Sequence, residues 1–161
     1  MRRKSFEDSD CSLAQAADYL GDAWVLLILR NIFTGMRRFD DLISHLEIPT
    51  NTLSDRLKTL VGRGILRREP DPVDGRRAEY RLTPKGEGLY PILIALVQWG
   101  ERWEGSPAGP RIRLSSRTDG KPLPPVQVRD ASGLLLVPRQ VVAKPGPATT
   151  EHMRKLYGGN W

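Results

Sequence analysis

Between Ile48 and Arg68 the chain reads IPTNTLSDRLKTLVGRGILRR, and the spacing of its apolar residues changes partway through. Leu53, Leu57, Leu60 and Val61 recur at the interval of one helical face, while Thr50, Asn51, Thr52, Ser54, Asp55, Arg56 and Lys58 fall elsewhere on the same helix. Gly64 suits the left-handed residue that ends a helix, and ILRRE beyond it takes up the two-residue alternation of a strand. PDPVDGRR cannot prolong that strand, because its prolines carry no N–H donor and Asp-Gly favours a hairpin turn. AEYRLT then alternates again. A helix with a small, hydrogen-bonding outer face, followed at once by a two-stranded ribbon, restricts the fold severely. The spacing predicts a mainly helical α+β domain with Arg76 and Arg77 near the tip of the ribbon.

Upstream lie three more helical stretches. Ser12 to Leu20 places Leu13, Ala16, Ala17 and Leu20 on one face, with Gly21 at its end. AWVLLILRNIF is apolar nearly all round and so belongs at the centre of a core. MRRFDDLISHL turns Phe39, Leu42, Ile43 and Leu46 inward, and the short break EIP joins it to the helix beginning near Thr50. Two short helices joined by a tight turn, the second with a polar first turn, make the helix-turn-helix pattern, and the ribbon after them makes it a winged one. Thr83 and Pro84 open a last helix as cap and first-turn residue, with Pro91 as a kink. Its stripe of Leu89, Leu93, Leu96, Trp99 and Trp103 exceeds what so small a domain needs and suits a partner helix, most simply from a second copy of the chain.

Charge and length then bound the function. The 161 residues carry a net charge of +6, which points toward an acidic partner. Residues 1–104, read as the helix-turn-helix domain, hold sixteen basic and sixteen acidic residues, whereas residues 105–161 hold nine against three. GSPAGP at 105–110 reads as a linker, and the remainder as a small β-rich C-terminal extension with short alternating strands around TDG and ASG. Within residues 56–85, nine Lys or Arg stand against Glu69, Asp71, Asp74 and Glu79, so a local basic surface is expected there. The apolar run WVLLIL falls far short of the roughly 20 residues needed to span a bilayer, and no signal peptide opens the chain, so a cytoplasmic protein without a membrane partner is expected. One cysteine and two distant histidines build neither a disulfide framework nor a zinc site, and no metal or cofactor is expected. GRG and GEG are too short to cradle a phosphate, and no nucleophile, base and orienting group stand in a catalytic pattern, so the chain does not read as an enzyme.

Taken together, CSLAQAADYLGDAWVLLILRNIFTGMRRFDDLI, TLSDRLKTLVGRGILRRE and AEYRLTPKGEGLYPILIALVQWGERW resemble the HxlR-type bacterial transcription regulators, relatives of the MarR group, over roughly residues 11–103. The resemblance rests on the cysteine before the first helix and on GDAW, RRF, LSDRL, YRLTPKG and QWGERW. It implies a homodimer with contacts from the first and last helices, drawing on Leu13, Leu20, Leu89, Leu93, Leu96, Trp99 and Trp103. It also implies a recognition helix at about residues 50–63 in the major groove and a wing at about 70–77 near the minor groove or backbone. The DNA-facing residues would then be Thr50, Asn51, Thr52, Ser54, Asp55, Arg56 and Lys58. Asn reads adenine bidentately, Arg reads guanine, and Ser or Thr bonds to bases or phosphates. Arg76 and Arg77 would neutralise phosphates from the wing tip, and Arg37 and Arg38 would meet the backbone ahead of the third helix. Several relatives with a thiol placed like Cys11 sense electrophiles or oxidants, and a helix start favours thiolate, so Cys11 is a candidate redox sensor of an unknown effector. Some relatives carry paired cysteines in the two turns of a similar extension; RTDGK and DASGL stand there in this chain, which sets metal binding aside. The expected function is sequence-specific regulation, as a repressor, on a double-stranded DNA operator. The alternatives are a sequence-indifferent nucleic-acid binder and an interaction module that keeps the winged helix as a dimer scaffold.

Overall fold

The computed structural model describes residues 5–75 and 77–157. Its elements are α1 (Ser12–Leu20), α2 (Ala23–Phe33), α3 (Phe39–Leu46), α4 (Thr50–Gly62), β1 (Leu66–Pro70), β2 (Ala78–Leu82), α5 (Pro84–Glu87), α6 (Tyr90–Trp103), a 3-10 turn at Pro138–Gln140, and α7 (Glu151–Tyr157). They fall into two compact units: Ala23–Val126, and a second drawn from the described parts of Met1–Asp22 and Gln127–Trp161. The first unit runs past the Gly- and Pro-rich stretch at 105–110 and takes in the beginning of the extension. No described helix is long and apolar enough to cross a membrane.

The core of the first unit follows from where its apolar residues recur. α2 buries Val25, Ile28, Leu29 and Ile32 and touches α3, α4, α6 and β2, as its nearly all-round apolar surface implied. Leu42 of α3, Leu53, Leu57 and Leu60 of α4, and Leu93 and Ile94 of α6 close around it, with Ile48, Ile65 and Leu66 from the segments between. Phe39, Ile43, Leu46 and Val61 are half-buried at its margin. Burying a leucine fully contributes roughly 1.5–3 kcal/mol, so the three on α4 fix which way that helix faces.

Local chemistry sets the joints. Gly64 takes the left-handed conformation (φ +66°), donating its N–H to Val61 O at 2.9 Å while Ile65 N–H reaches Leu60 O at 2.9 Å, the helix ending that the sequence implied. Between α3 and α4 the left-handed residue is Glu47 (φ 51°), whose N–H donates to Ile43 O at 2.9 Å. Nothing in the sequence marks Glu47 for that conformation, because it is neither Gly nor Asn.

Four expectations needed correction. α3 starts at Phe39, not Met36, because Arg37 and Arg38 lie extended beside β2: Tyr80 N–H donates to Arg37 O at 2.8 Å, and Arg38 bridges to Glu79. β1 continues through Pro70, paired with Ala78; both strands of a two-stranded ribbon are edges, where proline is tolerated. The single long last helix is two. Thr83 does cap α5, its Oγ1 accepting from Gly86 N–H at 3.2 Å, but Gly88 and Leu89 intervene and Pro91 sits in the first turn of α6, where it starts a helix instead of kinking one. The extension carries isolated bridges, Ser115 with Pro122 and Arg129 with Leu135, in place of strands; Pro122, Pro124 and Pro125 limit the ladder at the first.

Residues up to Val126 are tied to α6. Gln98 Nε2 donates to Pro124 O at 2.9 Å, Gln98 Oε1 accepts from Val126 N–H at 2.7 Å, and Glu101 Oε2 accepts from Arg111 N–H at 2.9 Å. They frame a recess of about 630 Å³ beside Trp99 and Trp103. In the second unit, Asp130 organises the ASG turn. The Ser132 hydroxyl donates to its carboxylate at 2.7 Å and the Leu134 N–H at 2.9 Å, which holds Asp130 below the usual carboxylate range against the opposing effect of burial. Thr150 Oγ1, just ahead of α7, donates to Asp10 Oδ2 at 2.9 Å. The strongly buried apolar residues among those described all lie in the first unit.

Candidate nucleic-acid interface

α3, the turn Glu47–Pro49 and α4 form a helix-turn-helix, and β1 and β2 form an antiparallel wing with Leu66 opposite Leu82 and Pro70 opposite Ala78. With Leu53, Leu57 and Leu60 locked inward, α4 leaves Thr50, Asn51, Ser54, Asp55 and Lys58 exposed, and Thr52 and Arg56 half-buried. Thr59 is turned back on its own helix, its Oγ1 donating to Asp55 O at 2.9 Å. Pro49 precedes α4 and offers no capping side chain, so the first-turn N–H groups can meet an anion.

Many of the wing's charges are engaged in ion pairs. Each of its four acids holds an arginine. Glu69 pairs with Arg67 at 2.6 Å and Arg81 at 3.2 Å, and Glu79 with Arg81 at 2.7 Å and Arg37 at 4.0 Å. Asp71 pairs with Arg38 at 2.7 Å, and Asp74 with Arg77 at 3.3 Å, Arg77 also lying 4.0 Å from Asp40. Glu79, not an apolar neighbour, is the buried residue of β2. Arg37, Arg38 and Arg77 are therefore engaged within the protein, and Arg76 lies outside the described residues.

From the sequence, Arg68 had a share in the expected basic surface but no place among the DNA-facing residues. Arg68 stands opposite Tyr80, on the other side of β1 from the paired Arg67 and Glu69, and lines a notch of about 280 Å³ with Arg38, Phe39, Asp40, Arg77 and Tyr80. Strand parity was the available signal: residues 67 and 69 share a side, so Arg68 takes the opposite one.

Asp71 is the polar centre of the wing base, with its side chain fully buried. Its Oδ1 accepts from Val73 N–H at 2.8 Å and Asp74 N–H at 3.2 Å. The Val73 N–H is the strongest influence holding its pKa below the ordinary value; burial opposes it, and the Asp74 N–H and Arg38 reinforce it.

The residues expected at a dimer seam separate into two sets. Ile92, Leu96, Trp99 and Trp103 make an exposed stripe along α6, Trp103 being 63% exposed with the Arg102 guanidinium 5.0 Å from its ring centroid. Leu93 is instead part of the chain's own core, and Leu89 is half-buried. In the other unit, Leu13 is exposed, Leu20 is half-buried, and Cys11 stands half-buried at the N-cap of α1 without a side-chain capping bond.

Comparison with known proteins settles the lineage. The HxlR-like helix-turn-helix family matches residues 19–107, a span that includes α2, both helices of the helix-turn-helix, the wing and α6. The chain belongs to this family. An HTH-type transcriptional regulator of Mycobacterium tuberculosis, MT3179, is 40% identical over 136 residues, covering 84% of this chain and 86% of that one. The crystal structure of PA1607, described as a candidate transcription factor, is similar with a TM-score of 0.84 and 36% identity, over 89% of this chain and all of its own. PA1374 from Pseudomonas aeruginosa, described likewise, gives a TM-score of 0.64 and 35% identity over 91% and 99%. This HxlR-type chain is accordingly a transcription regulator with a helix-turn-helix DNA-binding domain and a wing, and its relatives are regulators, not enzymes.

Proposed function

We propose that the protein is a homodimeric, sequence-specific regulator that inserts α4 into the major groove and represses by occupying promoter DNA. The observation that carries this reading is the division of α4. Leu53, Leu57 and Leu60 are all within 1% of complete burial, while Thr50, Asn51, Ser54, Asp55 and Lys58 stay exposed on a helix held by the turn after α3. That outer face holds what base edges require. Asn51 can bond bidentately to adenine, Arg56 to guanine, Asp55 can accept from the amino group of cytosine, and Thr50, Thr52 and Ser54 can meet bases or phosphates. Lys58 and Arg68 supply phosphate contact. Residues 96, 99 and 103 give α6 an apolar stripe through which a second copy would bring another α4 to the same face of a duplex.

Selection of bound duplexes from a random-sequence pool tests the proposal. The expected product is a two-fold symmetric consensus with half-sites about one helical turn apart. In Asn51→Ala or Arg56→Ala the consensus should lose information at one or two positions in each half-site. Enrichment without any consensus would indicate a sequence-indifferent binder, and no enrichment would indicate a protein-interaction module; either outcome defeats the proposal.

A further inference from the structure

We infer that Arg38 is a positioning residue for DNA binding, a latch that sets the wing through Asp71, and not a ligand of the DNA backbone. The inference rests on the regulator reading above. Arg38 immediately precedes α3 and is tied to it, its carbonyl accepting from Leu42 N–H at 3.1 Å. Its Nε lies 2.7 Å from Oδ2 of Asp71, a buried carboxylate oxygen with no other partner among the described residues. Arg38 is thus the charge that compensates Asp71.

Asp71 in turn shapes the wing loop. Its Oδ1 takes the N–H groups of Val73 and Asp74, and its own N–H donates to Arg77 O at 3.0 Å. Beside this pair, Tyr80 N–H donates to Arg37 O at 2.8 Å, and the Arg38 backbone pairs with that of Glu79 as an isolated antiparallel β-bridge. The two residues ahead of the helix-turn-helix therefore hold both the base of the wing loop and the second wing strand. Arg38 could neutralise a phosphate through its Nε edge only by leaving Asp71 as a buried, uncompensated carboxylate.

The two roles predict opposite signs for one substitution. Asp71→Asn keeps an oxygen to accept from Val73 and Asp74 but removes the charge. If Arg38 were a phosphate ligand, that change would free it and remove a nearby negative charge, so affinity would hold or rise. If Arg38 is a latch, Asp71→Asn should weaken binding as Arg38→Gln does.

The test measures wild type, Arg38→Gln, Asp71→Asn and the double variant, as full chains, on a duplex selected by the wild type, across a salt series. Each single change should weaken binding by about tenfold, and the double should be within about twofold of the weaker single, because both break one interaction. Amide exchange reads the latch without DNA: Tyr80 should exchange about tenfold faster in both single variants, while Leu57 in α4 and the circular dichroism spectrum stay as in the wild type. Arg38→Lys, which keeps the charge on a different head group, should give Tyr80 an intermediate rate and keeps the test open should Arg38→Gln fold poorly. Wild-type affinity or tighter in Asp71→Asn, with a salt slope lower by about 0.9 in Arg38→Gln alone, would overturn the inference. Unchanged Tyr80 exchange in both variants would also overturn it. If the wild type selects no duplex, the regulator reading fails and the positioning role falls with it, even where Tyr80 exchange shows that the pair holds the wing.

Discussion

Gly86, the glycine of YRLTPKG, is the position where one methyl group should do the most damage. The residue is buried and its backbone needs no left-handed conformation, so space is the constraint and not flexibility. A Cβ built there would fall well inside contact distance of the Ile65 carbonyl oxygen, 3.0 Å from Leu82 Cδ2 and 3.3 Å from the Ile65 carbonyl carbon. The obstacle cannot swing away. Ile65 O already accepts from Thr83 N–H at 3.0 Å and from Thr83 Oγ1 at 3.1 Å, bonds that join the end of α4 to the cap of α5. Overpacking typically costs about 1–3 kcal/mol, and a fixed backbone obstacle puts Gly86→Ala at the upper end. For a chain of 161 residues a loss of about 3 kcal/mol lowers Tm by roughly 6–12 °C. Gly88→Ala is the matched control: its Cβ would meet only Lys85 O at 3.4 Å and Pro84 O at 3.7 Å, and the position is helical. That substitution should be neutral or stabilise by up to about 1 kcal/mol. Thermal melts followed by circular dichroism decide the matter. A Gly86→Ala protein melting within a degree or two of wild type, or a Gly88→Ala protein as damaged as Gly86→Ala, would refute the reasoning.

Replacing Lys58 and Arg68 together by alanine should reduce the salt slope of DNA binding by about 1.8, the value for two phosphate contacts, in a fluorescence-anisotropy salt titration; an unchanged slope would place both outside the interface. Asp71 is held below its ordinary value of 3.8, so its contribution to stability is complete above that pH and is lost as pH falls through the lower folded-state value. Denaturant titrations of wild type and Asp71→Asn should accordingly differ most at neutral pH and converge in acid, whereas a constant difference would contradict the assignment. If the proposed dimer forms through the exposed stripe of α6, Trp103→Glu should halve the wild-type mass in sedimentation velocity; a variant that stays dimeric would place the seam elsewhere, and a monomeric wild type would refute the dimer.

Much of this architecture was legible because single residues announce it. The change from helical to alternating spacing at Gly64 located α4 and the wing, and Thr83 marked the start of α5, since each signal is local and each residue acts on its own backbone. The charge surface was not legible. Nine bases against four acids in residues 56–85 implied a basic surface, but which cations are engaged in ion pairs depends on which side chains meet, and Arg37 and Arg38 come from outside that window to pair with Glu79 and Asp71. Leu93 and Trp103 show the same limit. Both lie on the apolar face read from the sequence, yet one belongs to the core and the other to the surface, because periodicity marks a face without saying how deep it lies. The break before α6 was missed for a related reason: Pro91 is compatible with a kink or with a first turn, and only the preceding Gly88 and Leu89 decide between them.

The central claim is that the outer face of α4 distinguishes one DNA sequence from another. The most direct measurement is the ratio of Kd values for a selected duplex and for a scrambled duplex of the same length and composition, at one fixed salt concentration near physiological. The account predicts a ratio of about 10³ or more in favour of the selected duplex, most of it lost in Asn51→Ala. Equal affinities for the two duplexes, or a ratio that Asn51→Ala leaves intact, would contradict it.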